Sequence, residues 1–259
     1  MISLIQGTLG FASGGAVGLS LGLVGGGGSI LAVPLLVYLV GVPSVHVAIG
    51  TSAVVVAVNA AVNLAGHLRE GTLKWPCTLV FSMAGVVGAA LGSTAGKMID
   101  GDKLLALFAV LMFAVAILML MRRKDAGDKT VHISRENTPA LIGLGFASGA
   151  LSGFFGIGGG FLIVPALMLA TGMPILNAVH SSLAAVTIFG LTAAVSYAWS
   201  GFVDWTIAAI LIAGGVLGGL VGARLGRHLA LRQGMLNVVL SAIIVATAFY
   251  ILVRFLVGH

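Results

Sequence analysis

The sequence predicts an all-α polytopic membrane protein made of two inverted repeats of about five helices each. Three observations indicate this fold class. Hydrophobic residues make up 59% of the chain and charged residues only 8%, whereas a soluble domain carries about 25% charged residues. Apolar runs of about 20 residues, the length of a membrane-spanning helix, recur along the whole sequence. A glycine-rich stretch that interrupts an apolar run occurs twice.

The apolar runs define the predicted helices in order. The first half contains helices at about residues 3–23, 28–40, 44–66, 75–96 and 103–122. After a polar stretch, the second half contains helices at about residues 138–157, 161–172, 174–198, 205–227 and 234–256. The predicted regions are an N-terminal transmembrane repeat (1–122), a cytoplasmic linker (123–136) and a C-terminal transmembrane repeat (137–259).

The second helix of each half is short. A helix of about 13 residues rises about 20 Å, which is less than the ~30 Å thickness of the hydrocarbon core. Clustered glycines come directly before both of these helices, and glycine disfavours a continuous helix. We therefore expect 28–40 and 161–172 to be glycine-broken helices or short half-span helices. The sequence leaves open whether they cross the membrane fully or enter and leave on one side.

The repeat is visible in the letters GLVGGGGSILAVPLLVYLVGVP (22–43) and GFFGIGGGFLIVPALMLATGMP (153–174). The letters GFAS also begin both halves, at Gly10 and Gly145. Further matched positions follow at an offset of roughly 130 residues: Thr51-Ser52 with Ser181-Ser182, and the ladder Gly85, Gly88, Gly92, Gly96 with Gly215, Gly218, Gly222, Gly226. One half is therefore a copy of the other, and we assign the ladder to close helix packing.

Five crossings in each half place the second copy upside down relative to the first. Cytoplasmic loops collect Lys and Arg, and a cytoplasmic linker puts most basic residues on that side: Arg69, Lys74, Arg122, Arg123, Lys124, Lys129, Arg135, Arg224, Arg227 and Arg232. Both termini are then predicted outside. The basic residues lie between apolar runs, so the formal charge of +6 reflects topology and the lipid bilayer, not nucleic-acid binding.

The chemistry of the interior excludes several function classes. The single cysteine, Cys77, excludes internal disulfides and a zinc site built from several thiolates, and we expect neither a metal nor a cofactor. All seven acidic residues fall in loops or at span edges. A cation carrier usually keeps Asp or Glu inside its spans, so the pattern favours a small anionic substrate.

The glycine breaks are the first candidate site for that anion. Non-helical backbone at membrane depth is tolerated where it is buried in protein or lines a cavity. The first amides of a helix lack internal partners and carry the positive end of the helix dipole. The substrate-binding candidates are Gly25, Gly26, Gly27, Gly28, Ser29, Gly156, Gly158, Gly159 and Gly160. The alternative is that these glycines serve only close helix packing.

Hydroxyl and amide groups form a second set of candidates, namely Thr51, Ser52, Asn59, Ser181 and Ser182. They could complete the shell of an anion without buried charge. The alternative is that each hydroxyl bonds a carbonyl of its own helix. His180 is an ionisable residue inside a span and so a functional candidate, with proton coupling as one role; a neutral histidine bonded to a neighbouring helix is the alternative.

These motifs, over nearly the whole chain, resemble the TauE/SafE family of sulfite exporters. The resemblance implies a plasma-membrane carrier for sulfite, sulfonates or related organosulfur anions. We therefore expect a secondary transporter that exports such an anion by alternating access, with a proton or sodium as the candidate coupling ion. The alternatives are a passive anion channel, or a carrier of another small oxyanion or carboxylate. An intramembrane enzyme using Ser152, Ser181 or Ser182 with His180 is disfavoured, because adjacent helical residues point about 100° apart.

Overall fold

A computed structural model describes residues 4–67, 73–121 and 137–229 of the protein, and all regular structure in these ranges is helical. The α-helices are α1 (Leu4–Val24), α2 (Ala32–Pro34), α3 (Val45–His67), α4 (Trp75–Gly96), α5 (Gly101–Met121), α6 (Thr138–Phe155), α7 (Gly160–Thr171), α8 (Ile175–Trp199) and α9 (Trp205–Leu229). A 3-10 segment (Gly25–Leu31) precedes α2, and a π-helical turn (Leu35–Leu39) follows it.

The predicted all-helical membrane fold is confirmed. Six helices in the described ranges, α1, α3, α4, α6, α8 and α9, are long and apolar enough to cross a membrane. Two shorter apolar helices, Ser29–Leu39 and Gly160–Thr171, occupy the predicted short positions. The linker 123–136 and the tenth predicted helix, 234–256, lie outside the described residues.

The two short segments differ in regularity. In the second half a compact turn over residues 156–159 separates α6 from α7, and α7 is a continuous helix that contains Pro165. In the first half the backbone passes from 3-10 to α to π geometry between residues 25 and 39. Four consecutive glycines weaken the helix here, and the ring of Pro34 removes one amide donor. The first segment is therefore a broken helix, as predicted, and the second is a short one.

Three helix pairs make up most of the bundle: α1 with α9, α4 with α6, and α3 with α8. Glycines allow the first two pairs to approach at backbone distance. A Cβ added at Gly18 would meet the Gly215 carbonyl, and one added at Gly92 would meet the Ala150 carbonyl. Small residues at such contacts are how membrane helices gain close packing in the absence of a hydrophobic force between them. The predicted packing role of the glycine ladder is thus observed.

The contact registers give the direction of each pair. Gly50 of α3 lies against Tyr197 of α8, and Ala57 lies against Gly190, so these two corresponding helices run antiparallel where they cross. In the parallel α1–α9 pair, Gly18 faces Gly215. These directions are those that an inverted repeat produces. The complete arrangement of five plus five helices stays a prediction, because residues 230–259 lie outside the described part of the chain.

The same registers correct one sequence match. Gly14 packs on Leu211, and Gly145 packs on Phe81, which is the repeat equivalent of Leu211. Gly145 therefore corresponds to Gly14, and its predicted match with Gly10 in the letters GFAS is wrong by one helical turn. A four-letter match of small and apolar residues recurs easily along a glycine-rich helix, whereas interhelical contacts define the register.

The glycine contacts predict the effect of adding a single methyl group. Gly92→Ala should destabilise the protein by about 1–3 kcal/mol or more, the usual cost of overpacking, because its Cβ would meet backbone that cannot rotate away. Gly143→Ala is the matched control on α6, since nothing lies within 4 Å of its Cβ position. Thermal unfolding in detergent measures both, and equal melting temperatures would contradict the packing role.

Candidate functional site

The two glycine breaks meet in the interior of the bundle. A Cβ added at Gly160 would meet the carbonyl oxygen of Gly26, and a Cβ added at Gly26 would lie 2.7 Å from the Cα of Gly160. The two backbones are therefore in direct contact, and neither position has space for a side chain. We call this contact region the glycine junction: residues 25–29 of the first break and residues 156–160 of the second.

Left-handed backbone conformations shape both breaks. Gly156, Gly158 and Gly159 have φ of 60°, 64° and 62°, and Gly25 has φ of 64°. Glycine adopts this region without the steric cost that a Cβ imposes. The turn ends at Gly159, whose carbonyl accepts from the amides of Leu162 at 2.9 Å and Ile163 at 3.1 Å. The N-terminus of α7, with its partially positive amides, consequently lies at the junction.

Two serines hold the breaks crosswise. The amide of Gly26 donates to Ser182 Oγ of the other half at 3.0 Å, and the Ser182 hydroxyl donates to the Val179 carbonyl at 2.7 Å. In the first half, Ser52 Oγ lies 2.7 Å from the Gly156 carbonyl oxygen and 2.8 Å from that of Ile49, and donates to one of them at a time. Each half therefore contacts the break of the other through a repeat-equivalent serine.

The hydroxyls of Thr51 and Ser181, each one residue before a junction serine, bond the backbone at the starts of two helices. Thr51 Oγ1 accepts from the amide of Asp204 at 3.0 Å, and Ser181 Oγ accepts from the amide of Lys74 at 3.2 Å. Asp204 and Lys74 immediately precede α9 and α4. Thr51 of the first half thus holds the start of α9 in the second half, and Ser181 of the second half holds the start of α4 in the first. The sequence analysis did not foresee this role, and anion binding by these two residues stays a prediction.

Apolar side chains surround the junction. A Cβ at Gly158 would lie 2.7 Å from Cγ1 of Val56 and 3.0 Å from Cγ1 of Val186, the repeat equivalent of Val56. Ile49 packs on Gly156 in the same way that Val179 packs on Gly25. The described glycines of the junction therefore contact protein atoms directly, and the two breaks are packed against each other.

Ser152 of α6 adds a polar atom to this apolar wall. Its side chain is fully buried, and its Oγ has no hydrogen-bond partner among the described residues. A Cβ at Gly159 would lie 3.0 Å from that oxygen. The sequence analysis considered Ser152 only as a nucleophile, because nothing in a linear sequence shows that α6 turns this hydroxyl back onto the second break.

The remaining predicted site residues take different places. Ser29 donates to the Gly26 carbonyl at 2.9 Å, within its own break. His180 is buried on α8, one residue before Ser181. Asn59 packs against Gly215 of α9. Gly27 and Gly28 belong to the 3-10 segment, but their surroundings lie outside the described part of the structure.

The Lys97 side chain lies over Tyr197, whose hydroxyl bonds the end of α6 just before the second break. Lys97 Nζ donates to Ser196 O at 3.2 Å, to Ser196 Oγ at 3.1 Å and to Ser200 Oγ at 3.0 Å, and lies 5.8 Å from the ring centroid of Tyr197. The Tyr197 hydroxyl donates to the Phe154 carbonyl at 3.3 Å, two residues before Gly156. Ser93 and Lys97 on one chain segment, and Ser196 and Ser200 on the other, are each four residues apart. These spacings indicate a contact only once α4 and α8 are known to pair.

The crosswise bonds predict a stability effect of the junction serines. Ser182→Ala removes the acceptor of the buried Gly26 amide, and an unsatisfied buried donor costs about 1–3 kcal/mol. Thr94→Ala is the control, because this exposed hydroxyl bonds only the Ala90 carbonyl of its own helix. Thermal unfolding in detergent should show a lower melting temperature for Ser182→Ala alone; equal values for the two variants would contradict the bond.

Comparison with known proteins identifies the family. The family model described as "Sulfite exporter TauE/SafE" matches residues 10–251. A "Probable membrane transporter protein" of Xylella fastidiosa is 49% identical over 248 residues, covering 93% of both chains. "Probable membrane transporter protein YdhB" of Bacillus subtilis is 31% identical over 205 residues, 78% of this chain and 83% of that protein. No solved structure is significantly similar to the chain. The protein is therefore a multi-pass membrane protein that belongs to the TauE/SafE family of membrane transporters.

Proposed function

We propose that the protein is a secondary transporter that exports a small sulfur-containing anion, sulfite or an organosulfonate, across the plasma membrane by alternating access. The observation that carries this proposal is the buried hydroxyl of Ser152, which faces the second glycine break without a partner. Buried polar groups are nearly always hydrogen-bonded. A ligand oxygen in an opened glycine junction would supply the missing bond. The family description supports the choice of a sulfur oxyanion.

Donors at the junction suit an oxyanion. Opening the junction would free the Gly26 amide from Ser182 Oγ, and the Ser152 hydroxyl would add a second donor. The Ser182 hydroxyl would join them only by leaving the Val179 carbonyl. Hydrogen bonds to a charged acceptor contribute about 1.5–3 kcal/mol each, which offsets lost hydration. The N-terminus of α7 adds the favourable end of its dipole. No acidic side chain is buried in the described ranges, so repulsion of an anion is weak there.

The repeat supplies a means of alternating access. In inverted-repeat transporters, one repeat rocks against the other around a site at broken helices. Here each break is bonded to a serine of the opposite half, so such a movement would break one set of contacts at the junction. His180 is the candidate for proton coupling, with sodium as the alternative ion. We further propose that the linker 123–136 is cytoplasmic and that both termini lie outside.

A carrier fits the serines better than an enzyme does. The Ser182 hydroxyl donates to a carbonyl of its own helix, and the Ser181 oxygen accepts from the amide of Lys74. Neither arrangement activates the oxygen as a nucleophile, which would need a general base as its acceptor. A passive channel is the remaining alternative, and saturation of the flux with substrate distinguishes it from a carrier.

The unpartnered hydroxyl gives the direct test of this function. Ser152→Ala should raise the KM for sulfite flux in proteoliposomes about ten- to a hundredfold, because a hydrogen bond to an anion contributes about 1.5–3 kcal/mol. Its melting temperature should stay at the wild-type value or rise, since no described bond is lost. Thr94→Ala serves again as the control hydroxyl. A wild-type KM in Ser152→Ala would remove this residue from the site.

The glycine junction itself can be tested with a pair of left-handed glycines. Gly158→Ala should reduce flux more than about tenfold, because its Cβ crowds Val56 and the left-handed conformation costs about 1–2 kcal/mol. Gly172→Ala carries the same backbone cost at φ of 68° but has nothing within 4 Å. The two variants should reach the membrane equally and differ in flux. Equal flux would show that the backbone cost, not the junction, decides the result.

A further inference from the structure

Asn59 buries a complete side-chain amide for which the described part of the chain offers no hydrogen-bond partner. Its relative exposure is 0%, and both Oδ1 and Nδ2 lack a partner among the described residues. An amide can donate two hydrogen bonds and accept two. Such a group is rare in a folded interior and calls for an explanation, of which a bound ion, ligand or water is one. One turn further along α3, Asn63 Nδ2 donates to the backbone carbonyl of Asn59 at 2.8 Å.

Asn59 lies on the face of α3 that passes the glycine junction. Ser52 bonds Gly156 and Val56 packs on Gly158, and Asn59 follows at the spacing of the same helical face. The amide therefore lies one turn beyond the junction, toward the C-terminal end of α3. There it contacts the backbone of Gly215 in α9, between two helices that pack directly on each other.

The equivalent place in the other half is apolar. Phe189 occupies the position of Asn59 on α8 and packs on Gly85, the repeat equivalent of Gly215. Its ring stacks on Phe81 with centroids 6.0 Å apart and an interplanar angle of 21°. The next turn repeats the contrast, with Asn63 on α3 and Ala193 on α8. Beyond the junction, the first half therefore carries amides at the places where the second half carries an aromatic ring and an alanine.

We infer that Asn59 is a second anion-binding residue, which contacts the small oxyanion between the glycine junction and the C-terminal end of α3. This inference rests on the proposed function. The amide offers two N–H donors to an oxyanion and one oxygen to the water that accompanies it. A bound metal cation would need several oxygen ligands, and no acidic side chain is buried within the described ranges. In the other half the stacked rings of Phe81 and Phe189 occupy the equivalent place and offer no donor.

The test combines transport with stability. Asn59→Leu keeps the size of the side chain and removes both polar atoms. We expect sulfite flux in proteoliposomes to fall at least tenfold, with a melting temperature equal to or above that of the wild type, because no described bond of the side chain is lost. Thr187→Val on α8 is the control, since its hydroxyl bonds only the Leu183 carbonyl; its flux should stay at the wild-type value.

Each other outcome has a defined meaning. Wild-type flux in Asn59→Leu overturns the inference and leaves the proposed function intact. A melting temperature several degrees below the wild type also overturns it, because the amide would then be structural. If sodium stabilises the wild type but not Asn59→Leu, the ligand is a cation and the anion assignment is wrong. If the wild type itself shows no saturable flux of sulfite or of an organosulfonate, the proposed function fails, and this inference fails with it.

Discussion

Backbone contact between helices, possible only where the side chain is a hydrogen atom, is the constraint on which the whole bundle depends. Gly18 on Gly215 and Gly92 on Ala150 bring α1 to α9 and α4 to α6 at this distance. Lipid supplies no hydrophobic drive for helix association, so packing and hydrogen bonds must stabilise these pairs. The contact of Gly26 with Gly160 is the same device at the centre. It places two interrupted backbones against each other, where ordinary helices would present side chains.

The hydrogen bonds around this centre are exchanged between the halves. Ser182 accepts from the first break, Ser52 donates toward the second, and Thr51 and Ser181 tie the starts of α9 and α4. No half can therefore change the shape of its break without affecting bonds to the other half. The two breaks are therefore coupled to each other through hydrogen bonds with the opposite half.

Local patterns in the sequence predicted most of the fold, because membrane spans depend on hydrophobic length and broken helices on glycine content. The site was predicted only in part. Ser52 and Ser182 could be found because the repeat matches them, whereas the unpartnered oxygen of Ser152 and the Lys97–Tyr197 contact arise from helix pairing that no local pattern encodes. The GFAS match failed for the same reason, since register is decided by contacts between helices and not by similarity within one.

Departures from the repeat then become the informative positions. Where both halves carry a serine, as at Ser52 and Ser182, each serine bonds the break of the opposite half, Ser182 as an acceptor and Ser52 as a donor. Where one half carries Asn59 and the other Phe189, the two equivalent positions beyond the junction differ in polarity. This difference cannot by itself drive net transport outward. A protein that binds an ion does not change the free energy of that ion in the solutions on the two sides of the membrane. The membrane potential does change that free-energy difference, by about 2.3 kcal/mol per charge per 100 mV. If the protein carries an anion as proposed, an amide in one half and an aromatic stack in the other would set the relative population of the two open states, and through it the rate at which the anion leaves on either side.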